Sequence, residues 1–310
     1  MSASRPVVAI AGATGHLGRH VASAFLSPFF RSKFSDIILL SRKDASSIAG
    51  FESNAEYTVR KYDEDNIAKA LQGVQVLVNT VGPAGHSFKE KLLQAVPQTD
   101  VEIYFPSEFG VDHYVHDFAH LEWDEKKKHF ALAQKLIPDV KVCRLFCGLF
   151  LEDSIGPWFG FDTRNGKYES VGSCQSPISF TSLDDVGRTV AALATLPPDL
   201  APSTLHVGGD TRSISEIASI MGDAGAGHIE VTEIPLDEYK KEKTATPSWD
   251  PADYLRFLMG EDKIDHTDGG LGDDNELVNP QQLLWKWTTL ADLAEHAGGR
   301  PWKDYVWPPQ

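Results

Sequence analysis

The first residues whose types and spacing could do chemistry form a glycine-rich turn near the N-terminus. Its glycines recur at every third position, directly after a short apolar run and at the start of an amphipathic stretch. Glycines allow a tight turn and a close approach of the backbone, while the N–H groups at a helix start attract a pyrophosphate. The turn predicts a dinucleotide site made by Gly12, Thr14, Gly15, His16, Leu17 and Gly18.

Two cations bear on which dinucleotide this would be. Arg42 and Lys43 follow the second apolar run. At this place an acidic residue would bind the ribose 2′-hydroxyl of NAD, whereas an arginine would accept the 2′-phosphate of NADP. Because no acid occupies the end of that run, NADP(H) is the predicted cofactor. A solvated pair of surface cations is the alternative.

A run of three lysines lies on the predicted helix Leu121–Leu136. The apolar face of that helix puts Lys126 and Lys127 nearest its buried edge and turns Lys128 outward. A desolvated lysine can donate a proton or polarise a carbonyl. The alternative is an exposed basic patch paired with neighbouring acids, because charge runs on helices are commonly solvated. The residues that define the apolar face are Trp123, Phe130 and Ala133.

Short apolar runs alternate with amphipathic stretches over residues 1–150, which is typical of a parallel sheet covered by helices. This predicts an α/β protein with a Rossmann-type doubly wound sheet that binds NADP(H). The predicted strands are Val7–Ala11, Ile37–Leu40, Tyr57–Arg60, Val74–Asn79, Val101–Phe105 and Val140–Phe146. The predicted helices are Gly18–Leu26, Asp65–Leu71, Phe88–Ala95 and Leu121–Leu136.

Residues 151–310 have a different pattern, in which glycine, proline and aromatic residues interrupt the alternation. We expect a smaller substrate-binding lobe there, with some elements returning to the first half. Its clearest elements are a helix at Leu183–Leu196 and a strand at Thr204–Val207. The acidic, glycine-rich stretch Glu261–Glu276 is expected to be a solvated loop. The late tryptophans are expected to pack within the lobe or at a homodimer contact: Trp285, Trp287, Trp302 and Trp307.

Composition limits the partners. The chain has 310 residues with a formal net charge of −15, which argues against a general clamp for nucleic acid. The three cysteines have no metal-type pairing, the N-terminal stretch lacks the apolar region of a signal peptide, and no apolar run is long enough to span a bilayer. The expected protein is soluble and cytoplasmic, with a small-molecule substrate and no membrane or nucleic-acid partner.

Five stretches together resemble the NmrA-like, isoflavone reductase-like group of atypical short-chain dehydrogenases/reductases. The resemblance covers most of residues 1–210, and its most specific element is the Pro-Ser-Glu-Phe-Gly sequence. The stretches are GATGHLG at 12–18, SRK at 41–43, NTVG at 79–82, YFPSEFG at 104–110 and ISFTSLDDVG at 178–187.

The resemblance implies NADPH binding and reduction of a small aromatic or polyketide-like metabolite, with a lysine as the acid/base. Lys127, and after it Lys126, is the expected lysine. One branch of the group implies instead a non-catalytic NADP(H) sensor that acts through a protein partner. The Tyr-x-x-x-Lys pair of ordinary short-chain dehydrogenases is missing from the helix after the fifth strand. Further cofactor contacts are expected from Thr80, Val81, Gly82, Ser107 and Phe146.

Candidate substrate contacts follow the fifth and sixth strands, where open α/β sheets place ligand-binding residues. Glu108 could bind substrate or cap its own loop, and the aromatic stretch after the sixth strand could wall a flat ligand or pack in the core. A metal set at His113, His116 and His120 has only loop spacing in its favour, so no metal is expected. The candidate substrate residues are Glu108, Gly148, Phe150, Trp158 and Phe159.

Overall fold

The computed structural model describes residues 5–43, 48, 50–51 and 56–306. The apolar runs of the first half form strands β1 Val7–Ala11, β2 Asp36–Ser41, β3 Thr58–Lys61, β4 Val76–Asn79, β5 Ile103–Phe105 and β6 Lys141–Val142. Within the described residues these strands make one parallel six-stranded sheet, in the order β3-β2-β1-β4-β5-β6. The chain reverses direction across the sheet between β1 and β4, so the predicted doubly wound Rossmann-type fold is confirmed.

Amphipathic helices connect these strands. The helix α1 buries Val21, Ala22 and Phe25 along one face, while its polar residues face outward. The helix after β5 has the predicted bounds. The helices up to β6 are α1 His16–Leu26, α2 Pro28–Arg31, α3 Ile67–Ala70, α4 His86–Ala95 and α5 Leu121–Leu136.

The predicted sixth strand, Val140–Phe146, is divided in the structure. The N–H of Cys143 still donates to the carbonyl of Tyr104, at 2.9 Å, but the N–H of Arg144 donates to Ser203, at 3.0 Å. The chain therefore leaves the parallel sheet at Arg144, because its hydrogen-bond partner changes there. A continuous apolar run does not reveal such a change of partner.

The remaining strands and helices follow β6 in the chain. The strands are β7 Arg144–Phe146, β8 Leu149–Phe150, β9 Phe161–Asp162, β10 Lys167–Val171, β11 Ile178–Thr181, β12 Thr204–His206, β13 Asp210–Arg212 and β14 Glu230–Ile234. The helices are α6 Leu151–Ser154, α7 Leu183–Leu193, α8 Ile214–Met221, α9 Leu236–Lys243, α10 Ala252–Gly260, α11 Asn275–Val278 and α12 Leu290–Ala297. No helix within the described residues is long and apolar enough to cross a membrane.

The chain forms two compact units, each built from three segments. Unit 1 comprises Met1–Phe109, Asp124–Leu145 and Leu183–Leu205; unit 2 comprises Gly110–Trp123, Phe146–Ser182 and His206–Gln310. Each unit has its own apolar core, and a fully buried large side chain contributes roughly 1.5–3 kcal/mol. Core residues of unit 1 include Ile38, Leu77, Leu92 and Ala133; those of unit 2 include Phe180, Tyr254, Phe257 and Leu290. The functional division at residue 150 stays a prediction.

The acidic stretch 261–276 is not wholly solvated, which corrects the sequence-based expectation. Ile264, Asp265 and His266 are buried. The carbonyl of Ile264 accepts from the N–H of Ser179 on β11, and the N–H of His266 donates to the Ser179 hydroxyl, both at 2.8 Å. Backbone pairing with β11 therefore holds this segment inside unit 2 despite its composition.

Candidate cofactor and active site

The glycine turn joins β1 to α1 with little room for side chains. Gly12 has φ +84°, a left-handed conformation that favours glycine. A Cβ at Gly18 would lie 2.0 Å from the Gly12 carbonyl oxygen, so no larger residue fits there without movement of the backbone. The N–H of Gly15 donates to the same oxygen at 2.8 Å and closes the turn. Tight closure accounts for the glycine spacing.

The outer side of this turn is open. Thr14, Gly15 and His16 are exposed, whereas Leu17 is half-buried and Gly18 is buried. In the part of the chain that the structure describes, no side chain caps the first turn of α1 at Gly15. The N–H groups of that turn therefore point to a place where an anion can be bound, as a dinucleotide pyrophosphate would be.

The ends of β4 and β5 lie beside the turn. The Thr80 hydroxyl donates to the carbonyl of Ala11 at 2.8 Å, and a Cβ on Gly12 would lie 3.0 Å from Thr80. The Ser107 hydroxyl donates to the carbonyl of Val81 at 2.9 Å. Gly82 is exposed at the start of the next turn. The structure thus brings Thr80, Val81, Gly82 and Ser107 together with the glycine turn.

Arg42 and Lys43 are exposed after β2, the strand next to β1. The Ser41 hydroxyl fixes this turn, since it accepts from the N–H of Lys43 and donates to its carbonyl. Burial raises the pKa of Tyr62, and the nearby guanidinium of Arg42 opposes that rise. Two cations therefore stand at the end of the neighbouring strand, without an ion pair between either of them and a carboxylate among the described residues.

The three lysines on α5 differ in their surroundings. Lys126 precedes the fully buried Ala133 by two helical turns and so lies on the inner stripe of α5. Lys127 is 29% exposed and its ammonium lies 3.9 Å from Asp124. Lys128 is 71% exposed and pairs with Glu125 at 2.6 Å. The outward direction predicted for Lys128 agrees with this exposure.

A buried polar cluster next to these lysines was not anticipated. The side-chain amide of Asn79 donates to the Tyr104 hydroxyl at 3.0 Å, and this hydroxyl lies 2.8 Å from Nε2 of His129. Asn79 and Tyr104 have no exposed surface, and Lys89 and Glu108 are also buried nearby. Burial raises the pKa of Tyr104 and lowers that of His129 to about 4, so both are neutral near pH 7.

The sequence held a signal for this cluster. Asn79 ends β4, Tyr104 is on β5, and His129 lies one turn after Lys126 on the helix that follows β5. Polar side chains at strand ends and on an inner helix face converge at one edge of a parallel sheet. Neither Tyr104 nor His129 was a candidate site residue from the sequence alone.

The remaining predicted residues belong to unit 2. Phe146 is buried, and its ring stacks on His206 with centroids 5.3 Å apart. His206 Nε2 lies 2.9 Å from Asp112 Oδ2. Burial raises the pKa of Asp112, but the hydrogen bonds from His206 and the Tyr114 backbone outweigh this and hold the pKa below its usual value.

Gly148 and the aromatic stretch have local structural roles. Gly148 has φ +65°, and a Cβ there would lie 2.2 Å from the carbonyl oxygen of Ser179. Phe150, Trp158 and Phe159 are half-buried. The indole of Trp158 packs edge-on against Trp302, with centroids 5.1 Å apart. Trp307 lies outside the described residues.

The histidine-rich loop packs as an aromatic cluster of unit 2. The ring of His120 stacks on Trp123 at 4.2 Å between centroids, and His116 stacks on Phe118 at 4.0 Å. Within the described ranges, no group of three or more His, Cys, Asp or Glu side chains is placed to hold a metal ion.

Comparisons with known proteins agree with this geometry. A phenylcoumaran benzylic ether reductase of Pinus taeda is 25% identical over 257 residues, covering 79% of this chain and 83% of that protein. Another phenylcoumaran benzylic ether reductase, of Nicotiana tabacum, is 25% identical over 95% of this chain and 99% of its own length. The binary complex of leucoanthocyanidin reductase with NADPH, from Vitis vinifera, superimposes with a TM-score of 0.69 at 16% identity, over 94% of this chain and 99% of that one.

The family-level comparison covers most of the chain. The model of the NmrA-like family matches residues 4–266, which include the glycine turn, the β4 and β5 ends, the lysine helix and the segment 178–187. The resemblance inferred from the five sequence stretches is confirmed. The chain belongs to the NmrA-like family.

Proposed function

We propose that this protein is an oxidoreductase that uses NADPH to reduce a small aromatic metabolite. The observation that carries the proposal is that unit 1 holds both an open glycine turn and a helix that bears lysines on and beside its inner stripe. The first feature suits a dinucleotide, and the second suits proton transfer next to it. Membership of the NmrA-like family supports the same class.

The residues of unit 1 fit NADP(H). The pyrophosphate would be held by the turn from Gly12 to Gly18, and the 2′-phosphate by Arg42 and Lys43. Thr80 to Gly82 and Ser107 would line the path toward the nicotinamide. When bound, NADPH supplies the hydride for a reduction. The structure of the leucoanthocyanidin reductase complex supports this choice, since that protein is bound to NADPH in the same fold.

A lysine on α5 would hold and deliver the proton that a reduction requires at a carbonyl or ether oxygen. The sequence favoured Lys127 before Lys126. The position of Lys126 on the stripe of Ala133 supports Lys126 over Lys127, whose heptad neighbour Gln134 is exposed. Lys127 is also oriented toward Asp124, at 3.9 Å. We therefore take Lys126 as the acid/base and Lys127 as its alternative.

The substrate class follows from the relatives. The two relatives above are named as reductases of phenylcoumaran benzylic ethers, which are aromatic ethers. Phe150, Trp158 and Phe159 are partly accessible aromatic groups of unit 2 that suit such a ligand. Glu108, Gly148 and Phe146 remain further candidate contacts with substrate or cofactor. A homodimer is not required by this proposal.

The test is turnover of a phenylcoumaran benzylic ether with NADPH, followed by loss of the reduced nicotinamide and by mass analysis of the product. Lys126→Ala should lower kcat by about 10²–10⁴ and leave the NADPH Kd within a few fold. Lys128→Ala, which removes an equal charge from the exposed side, is the matched control and should be nearly silent.

Three outcomes distinguish this mechanism from its alternatives. Loss of kcat in Lys127→Ala alone would keep the site and move the acid/base by one residue. Equal and small effects of all three lysine changes on a turned-over substrate would contradict the lysine mechanism. If phenylcoumaran benzylic ethers and isoflavones are not reduced, but NADPH changes the affinity of a protein partner, the chain is the dinucleotide sensor and not the enzyme.

A further inference from the structure

A chain of hydrogen bonds crosses the carboxyl edge of the parallel sheet. The Ser107 hydroxyl donates to the carbonyl of Val81 at 2.9 Å, and the N–H of Val81 donates to Oδ1 of Asn79 at 3.1 Å. Nδ2 of Asn79 donates to the Tyr104 hydroxyl at 3.0 Å. The same hydroxyl lies 2.8 Å from Nε2 of His129. The chain runs from the predicted cofactor loop to the lysine helix, all within unit 1.

The donors fix the direction of the chain as far as the Tyr104 hydroxyl. Because Oδ1 of Asn79 accepts from a backbone N–H, its Nδ2 must face Tyr104 and donate. The Tyr104 hydroxyl, which accepts from Asn79, donates its own proton to His129 in the tautomer whose Nε2 carries a lone pair. Burial holds the pKa of His129 at about 4, against the raising effect of Glu108 and with the lowering effect of Lys89 and His86.

We propose that Tyr104 and His129 are positioning residues that couple the loop Thr80–Gly82 to the lysine helix α5. This inference rests on the proposed reductase function. A dinucleotide bound against Val81 would change the hydrogen bond between Tyr104 and the imidazole of His129. His129 lies one helical turn from Lys126. By reciprocity, the position of α5 affects the affinity of the loop for dinucleotide. Buried polar networks of this kind act as units, because each member satisfies the next.

Tyr104→Phe tests the coupling, since it removes the hydroxyl and keeps the buried ring. Tyr168→Phe is a matched control: Tyr168 is also buried, and its hydroxyl has no hydrogen-bond partner among the described residues. His129→Gln assigns the imidazole signals and keeps an acceptor within reach of the Tyr104 hydroxyl. None of these three changes alters the net charge at neutral pH.

The measurement is nitrogen NMR of the histidine rings in labelled full-length protein, with NADP⁺ as the added probe. In the unchanged protein and in Tyr168→Phe, His129 should be neutral with an unprotonated Nε2, and its signal should move when NADP⁺ binds. In Tyr104→Phe this response should disappear, while His16 in the glycine turn still responds. An unresponsive His129 in the unchanged protein, or an equal response in Tyr104→Phe, would overturn the proposal.

Turnover gives a second readout that a structural role alone would not move. Tyr104→Phe should lower kcat about 10-fold to 100-fold, the effect of a misplaced reacting group, and leave the NADPH KM within about threefold. His129→Gln should retain most of kcat. If Tyr104→Phe does not fold, loss of the NADP⁺ response of the α5 backbone amides in His129→Ala tests the same coupling. A preserved NMR response without any reduction would contradict the proposed function and leave the coupling intact.

Discussion

In the proposed site, the choice of NADPH over NADH depends on two exposed side chains, Arg42 and Lys43, at the end of β2. The double change Arg42→Ala, Lys43→Ala should weaken NADPH binding by about 1–3 kcal/mol, because charge-assisted hydrogen bonds to a 2′-phosphate are lost. NADH lacks that phosphate, so its affinity should stay nearly unchanged. Calorimetric titration of each variant with both dinucleotides measures the difference.

A control must separate local contacts from overall charge. Lys241→Ala, Lys303→Ala removes the same two charges from exposed positions of unit 2 and should leave NADPH affinity unchanged, because neither lysine is among the residues proposed to hold the 2′-phosphate. Equal NADPH and NADH affinities in the unchanged protein would contradict the NADP(H) assignment itself.

At the scale of the element, the β1–α1 turn is the most constrained part of unit 1. Gly18→Ala would place a Cβ 2.0 Å from the Gly12 carbonyl oxygen and 2.7 Å from the Thr80 hydroxyl. We expect a loss of about 1–3 kcal/mol in the free energy of unfolding, measured by urea denaturation, and a tenfold or larger weakening of NADPH binding, about 1.4 kcal/mol.

Gly269→Ala provides the comparison for Gly18→Ala. Its nearest neighbour would be the Thr267 hydroxyl at 3.7 Å, which is an ordinary contact, and its φ is not positive. The change should alter the unfolding free energy by less than about 0.5 kcal/mol. An equally small change in the unfolding free energy of both variants would mean that the first turn of α1 tolerates a side chain at position 18.

The elements of unit 1 could be predicted because each has a local signal. The bounds of β1 and α5 agree with the apolar periodicity, and the glycine turn marks its own junction. The division of the sixth strand at Arg144 and the burial of Ile264 could not be predicted in this way. Both depend on hydrogen bonds to residues distant in sequence, Ser203 and Ser179, and a local pattern carries no information on such partners.

In the candidate site, too, residues with a local sequence signal could be predicted, and contacts between residues distant in sequence could not. Gly12, Gly18 and Thr80 were found from spacing and resemblance, and they lie together. The pairing of Tyr104 with His129 joins a strand and a helix 25 residues apart. Their places on β5 and α5 indicate the same edge of the sheet, but their spacing does not indicate the contact itself. The choice between Lys126 and Lys127 likewise depends on which helix positions are buried. A shift of the buried face by one residue would exchange the two lysines.

At the scale of the whole molecule, burial lowers the pKa of a histidine in each unit. His129 belongs to unit 1 and His266 to unit 2, and burial lowers the pKa of both to about 4. In the unfolded chain the same groups titrate near 6.5. The unfolded chain therefore binds more protons between these values, and stability should be full above pH 6.5 and should decrease as the pH falls toward 4.

The size of this effect distinguishes it from general acid denaturation. Each of these two histidines should lower the free energy of unfolding by about 2 kcal/mol when the pH falls from 8 to 5, at about 1.4 kcal/mol per pKa unit. The Asp112 carboxyl has a lowered pKa and loses its contribution only at a lower pH. Urea denaturation at pH 8, 6.5 and 5 measures how the free energy of unfolding depends on pH.

The double variant His129→Gln, His266→Asn should reduce this pH dependence, because neither amide titrates. The amides keep an acceptor for Tyr104 and a donor for Val207. His228→Gln, at an exposed position, should leave the pH dependence as it is. An unchanged pH dependence in the double variant would mean that other groups set the acid limit of this fold.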